Sequence, residues 1–136
     1  MNGSCRIVLA KLGLDGHDVG IQLVAKHLMA AGFEVVYLGK RVMTDTVVSA
    51  AIDEDAGAIG VSCLSGGLGH FAAKVVEGLK DEGAEIPVLA GGIDEPEEIE
   101  RMLEAGVHCH FGPSASVEDI VEEFRRAAAA RFPSTP

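Results

Sequence analysis

Residues 5–20 read Cys5-Arg-Ile-Val-Leu-Ala10-Lys11-Leu-Gly-Leu-Asp15-Gly16-His17-Asp18-Val19-Gly20. Residues 5–10 form a nearly unbroken β-branched and apolar run, the pattern of a central strand covered on both faces rather than one with a wet side. A polar, glycine-bearing stretch follows. From residue 18 to 31 the apolar positions Ile21, Val24, Ala25, Leu28 and Met29 recur at helical spacing, and Gly32 supplies a left-handed stop. Strand, polar loop, helix is the opening unit of a parallel α/β sheet.

The rest of the chain repeats that alternation. Strands are expected at 34–38, 57–62, 86–90 and 107–111. The second helix is expected after Thr44 as N-cap, and the third over 70–79, closed by Gly83. The fourth opens on a capping-box-like pair, Asp94 with Glu97, and ends at Gly106; the last begins at Ser116 with Val117, Ile120, Val121 and Phe124. Five strands alternating with five helices imply right-handed crossovers and a strand order 2-1-3-4-5. The expected fold is therefore α/β, a flavodoxin-like (Rossmann-like) doubly wound parallel sheet, with one domain over residues 1–136 and its core over about 5–125. Ligands in such sheets sit beyond the carboxyl ends of the strands at the switch point, here between strands one and three. The small-residue loops at 11–20, 62–69, 91–92 and 112–114 all fall on that edge.

Composition narrows the function classes. A formal charge of -10 with few aromatic residues and no basic cluster disfavours nucleic acid and anionic membrane surfaces as partners. No apolar stretch approaches the roughly 18 residues of a membrane span, and the N-terminus lacks a signal-peptide pattern, so a cytoplasmic location is expected. Three cysteines, Cys5, Cys63 and Cys109, suit buried reduced thiols better than a disulfide framework.

Several chemistries fail on spacing. Gly13, Gly16 and Gly20 do not make the dinucleotide fingerprint, and no phosphate loop is present. A phosphoacceptor receiver would end strand three in aspartate, whereas this chain has Val61-Ser62. His108-Cys109-His110 alternates within a strand, sending the histidines to one face and the cysteine to the other, and makes no zinc site by spacing. His17 differs. A histidine in a glycine-flanked loop can reach outward, and Asp15 two residues earlier can accept its other ring hydrogen, with Lys11 modulating the carboxylate. The residues alone leave a second reading open, in which Asp15 and Asp18 cap the helix and His17 is a solvated loop histidine.

Taken in order, Lys11-Leu-Gly-Leu-Asp-Gly-His-Asp-Val-Gly20, Val61-Ser-Cys-Leu-Ser65, Gly91-Gly92 and Phe111-Gly-Pro113 resemble the motifs of the cobalamin-binding domain of acyl-CoA mutases of the methylmalonyl-CoA mutase type. The resemblance covers nearly the whole chain and is greatest to the separate small subunit. It implies adenosylcobalamin bound base-off, with His17 as the lower cobalt ligand, Asp15 on its far ring nitrogen and Lys11 paired with Asp15. The displaced nucleotide tail would enter a slot where Gly20 lets the helix start close by, Ser62 bonds the buried base, Leu64 forms a wall, and Gly91 and Gly92 leave room. Gly16, Asp18, Val19, Ser65, Phe111, Gly112 and Ser114 complete the implied cofactor-binding set.

Two stretches depart from the family pattern, Gly67-Leu-Gly-His70 and Ser114-Ala-Ser116, and His70 is expected to face the corrin edge. The resemblance further implies an isomerase (mutase) inactive alone, working with a large barrel subunit that binds the acyl-CoA, two large and two small chains together. A corrinoid carrier or sensor for methyl groups and the small subunit of an amino-acid mutase are the alternatives. The first usually carries a helical bundle before the domain, and only about four residues precede strand one here.

Overall fold

The computed structural model describes residues 5–13, 19–64 and 66–131. The elements in chain order are β1 (Arg6–Lys11), α1 (Val19–Ala30), β2 (Glu34–Tyr37), α2 (Thr44–Asp53), β3 (Ala58–Cys63), α3 (Leu68–Asp81), β4 (Val88–Gly92), α4 (Pro96–Ala105), β5 (Cys109–Phe111) and α5 (Val117–Arg131). The sheet is parallel, in the order β2-β1-β3-β4-β5. This is the flavodoxin-like architecture that the alternation predicts.

Side-chain alternation along each strand divides the core in two. Val8, Ala10, Ile59, Val61, Val88 and Ala90 face one cluster, with Val47, Leu68, Val75 and Met102 from α2, α3 and α4. Ile7, Leu9, Ala58 and Leu89 face the other, with Ile21 and Leu28 of α1 and Val121, Phe124 and Ala127 of α5. Buried side chains of this size contribute roughly 1.5–3 kcal/mol each, so both helical layers are held by apolar burial. Among the described residues no helix is long and apolar enough to cross a membrane.

Several helix ends differ from the sequence reading. Thr44 is the first residue of α2, not its cap; Met43 is the N-cap and makes no side-chain cap bond. α3 begins two residues earlier than expected, because Gly67, at φ 84°, turns the chain into it. Asp94 does not box with Glu97, since the N-cap of α4 is Glu95 and Pro96 occupies the first turn. The Asp94 carboxylate instead accepts the Gly69 N–H of α3 at 2.8 Å and the Glu95 N–H at 2.9 Å. An orphan donor at one helix start is thus satisfied from the next crossover. Ser116 does cap α5, its Oγ accepting the Asp119 N–H at 3.1 Å. None of the three cysteines is in a disulfide.

Candidate functional site

Parallel pairing lines up two rows of residues across β1, β3, β4 and β5. Leu9, Gly60, Leu89 and Cys109 form one row; Lys11, Ser62, Gly91 and Phe111 form the next, toward the carboxyl ends. Two positions apart on each strand, the rows share the sheet face that α1 and α5 cover. In the second row Ser62 and Gly91 put little side chain between the sheet and these helices. The result is a cleft of about 550 Å³, floored by these rows except Cys109 and walled by Gly20, Ile21 and Val24 of α1 and by Ile120 and Phe124 of α5. Val61, Leu64, Gly92 and Gly112 complete its lining.

The glycines here have different causes. A Cβ on Gly20, Gly91 or Gly112 would meet no atom within 4 Å, and none of the three has a positive φ. The fold does not require glycine at these positions, which stand beside open space. Gly60 is tighter, because a Cβ there would lie 2.6 Å from both Leu9 Cδ2 and Phe124 Cζ. Gly92 lines the cleft but is glycine for a fold-internal reason: at φ 132° its Cβ would overlap the Cys63 carbonyl oxygen. Its own carbonyl accepts a hydrogen bond from His110 Nε2 at 2.8 Å.

At the mouth of the cleft Lys11 is only 2% exposed, a rare state for lysine. Its ammonium donates to Ser62 Oγ at 3.2 Å. Such a cation persists only among oxygen partners, and Ser62 supplies one of them. The next nine residues of sequence contain the segment 14–18, which connects the β1 end to α1.

Of the sequence-derived site residues, Lys11, Gly20, Ser62, Leu64, Gly91, Gly92, Phe111 and Gly112 meet around this one cleft. Val19 opens α1. Asp15, Gly16, His17, Asp18 and Ser65 lie outside the described residues. Ser114 is exposed in the turn after β5 and is not among the residues lining the cleft. His70 is exposed in the first turn of α3, edge-on to Phe71 with ring centroids 5.5 Å apart. Leu9, Ile21, Val24, Gly60, Val61, Leu89, Ile120 and Phe124 also line the cleft, and none was singled out as a site residue from sequence. For Leu9, Gly60 and Leu89 the signal was the sheet face they share, which needs the strand register to be read.

One other constellation departs from expectation. His108 precedes β5 and its Nε2 lies 3.4 Å from Glu123 Oε2 of α5, beside Cys109 rather than on the opposite face. His110 turns to Gly92 instead. Burial, with the nearby Glu123 carboxylate adding to it, pushes the Cys109 thiol up from 9.0 to about 11.

The family described as B12 binding domain matches residues 5–122. The 2-hydroxyisobutanoyl-CoA mutase small subunit of Aquincola tertiaricarbonis is 37% identical over 127 residues, covering 93% of this chain and 93% of that protein. The pivalyl-CoA mutase small subunit of Xanthobacter autotrophicus is 40% identical over 119 residues, 86% of this chain and 79% of that one. Among solved structures, a cobalamin-binding protein from Desulfitobacterium hafniense superposes with a TM-score of 0.77 at 27% identity. That match covers 91% of this chain, which spans only 59% of the solved one.

Proposed function

This chain belongs to the B12-binding domain family, and on that premise we propose that it is the cobalamin-carrying small subunit of a B12-dependent acyl-CoA mutase. The observation that carries the reading is the 550 Å³ cleft at the β1–β3 switch point, with three glycines that the fold itself does not need. A volume of that order suits a small-molecule moiety. Its apolar walls with a few polar groups at the mouth suit a nucleotide tail whose base is buried and whose linker passes between backbones.

His17, with Asp15 on its far ring nitrogen, is the proposed lower ligand of cobalt. The support is the motif itself and the position of segment 14–18 between the end of β1 and the start of α1. Lys11 holds the charge balance at the mouth, and Ser62, bonded to Lys11, presents a hydroxyl to the buried base. Ile21, Val24 and Phe124 exclude water from the tail by apolar contact. Leu64, 51% exposed, and Ile93, 55% exposed, follow β3 and β4 and give the carboxyl edge an apolar rim. Such a rim suits coverage by the corrin and the large subunit.

The cofactor is read as adenosylcobalamin, which when bound supplies the carbon radical that starts a skeletal rearrangement. This chain's part is to bind, orient and shield. Among the described residues another cavity, of about 600 Å³, lies between α2 and α3, lined by Thr44, Val48, Lys74 and Gly78 and away from the cofactor cleft, so the substrate site is assigned to a large partner subunit, and the location to the cytoplasm.

Visible-spectrum titration of the purified chain with adenosylcobalamin tests the proposal. A base-off spectrum with histidine coordination is expected, lost in His17→Ala, together with mutase turnover only after a barrel-bearing large subunit is added. Spectra identical in the wild type and His17→Ala would overturn the ligand assignment. Methyl transfer without any large subunit would favour the carrier reading.

A further inference from the structure

Three side chains of different chemistry meet beside β5, the edge strand. One ligand atom from each of His108, Cys109 and Glu123 lies within 4.8 Å of the other two, and His108 Nε2 stands 3.4 Å from Glu123 Oε2. Zinc holds imidazole nitrogen and carboxylate oxygen at about 2.0–2.2 Å with tetrahedral angles, which places those two atoms about 3.4 Å apart. The pair already has the spacing of one tetrahedral edge. A thiolate at about 2.3 Å from the same ion sits roughly 3.6 Å from either partner. The sulfur therefore needs to close by little more than about 1 Å, a movement within reach of a small χ1 change.

The setting suits an ion. Cys109 continues the row of Leu9, Gly60 and Leu89 on the face covered by α5. The His108 and Glu123 side chains are 38% and 29% exposed, which leaves an entry path. The strand is three residues long and, among the described residues, pairs with β4 at the edge of the sheet.

We propose that His108, Cys109 and Glu123 form a zinc(II) site that clamps α5 to the edge strand, with water as the fourth ligand. One nitrogen, one sulfur and one carboxylate oxygen suit a borderline-soft ion, whereas magnesium and calcium take oxygen sets. On binding, the S–H bond of Cys109 is replaced by a zinc–sulfur bond and one proton leaves to solvent. Because Ile120 and Phe124 of the same helix wall the cofactor cleft, the clamp also steadies that wall. The competing account of these atoms is an ordinary His108–Glu123 ion pair with an idle thiol.

The test uses the untagged full-length chain, stripped with a chelator and free of cobalamin. Zinc is titrated against a chromophoric chelator, and cobalt(II) is used as a spectroscopic stand-in. One equivalent bound with a Kd of about 1 μM or tighter is expected, with a thermal midpoint that rises with zinc. Cobalt(II) should give a thiolate charge-transfer band that Cys109→Ser abolishes. His108→Ala and Glu123→Gln, changes at partly exposed positions, should each weaken zinc by at least roughly tenfold, while His17→Ala leaves it unchanged. Binding weaker than about 100 μM, unaltered affinity in His108→Ala and Cys109→Ser, or loss of zinc in His17→Ala would each overturn the proposal.

Discussion

Lys11 Nζ donates to Ser62 Oγ at 3.2 Å, joining side chains that already face each other in the register of β1 and β3. The lysine sits at the switch point of the sheet, where crossovers leave in opposite directions. Burying an ammonium there spends stability on a polar feature, so its removal should be visible in both folding and ligand binding.

The first prediction concerns that pair. Ser62→Ala, Lys11→Met and the double variant are unfolded in urea without cofactor. A coupling energy of about 1–2 kcal/mol is expected from a hydrogen bond to a charged donor. Additive single effects would show that the contact carries no energy.

The cleft glycines separate fold from function. Gly20→Ala and Gly91→Ala place a methyl in open space, so both variants should hold or gain about 0.5 kcal/mol of stability. Cobalamin affinity should nevertheless fall, read by spectral titration. Gly92→Ala drives its methyl into the Cys63 backbone at a positive φ and should lose more than about 3 kcal/mol. If Gly91→Ala binds cofactor as the wild type does, the cleft is not the tail slot.

Asp94 serves two backbone donors on different crossovers. Asp94→Ala should cost about 1–2 kcal/mol in thermal unfolding, the range of a lost helix cap. Asp94→Asn should recover part of it, because an amide oxygen still accepts.

The Cys109 thiol, raised to about 11, gives a pH signature in chelated, metal-free protein. The folded group keeps its proton while the unfolded thiol ionises near 9.0, so the unfolded state binds fewer protons between those values. Stability contributed by the neutral thiol is complete below pH 9 and declines as pH rises toward about 11. Cys109→Ser should flatten the alkaline limb of the stability curve. At pH 8 Cys109 should alkylate more slowly than a free thiol of ordinary pKa, as read by peptide mass spectrometry.

Much of this was legible from sequence because the signals are short-range. The unbroken apolar run before Lys11, the helical recurrence of Ile21, Val24 and Leu28, and the stops at Gly32 and Gly106 specify elements without reference to distant partners. Alternation then implied the strand order. The motif residues Lys11, Ser62 and Gly91 were found through the resemblance to a family pattern, and they fall at or one residue past the ends of the strands read from that alternation. Thr44 and Asp94 misled because a polar residue ahead of a helix satisfies the local pattern of a cap whether or not its side chain turns inward. In Asp94 the nearer unmet donor belonged to α3.

By itself the chain's order of residues determined the elements, their succession and the sheet edge on which a ligand would lie, since hydrophobic period and turn chemistry act over a few residues. Only tertiary structure decided that Leu9, Gly60 and Phe124 share one cleft, that Gly92 is glycine for the Cys63 carbonyl while Gly91 stands beside empty space, and that His108 and Cys109 meet Glu123. Those relations depend on register between strands and on the seating of α5 against β5. Each joins residues separated in sequence by more than the reach of any local pattern.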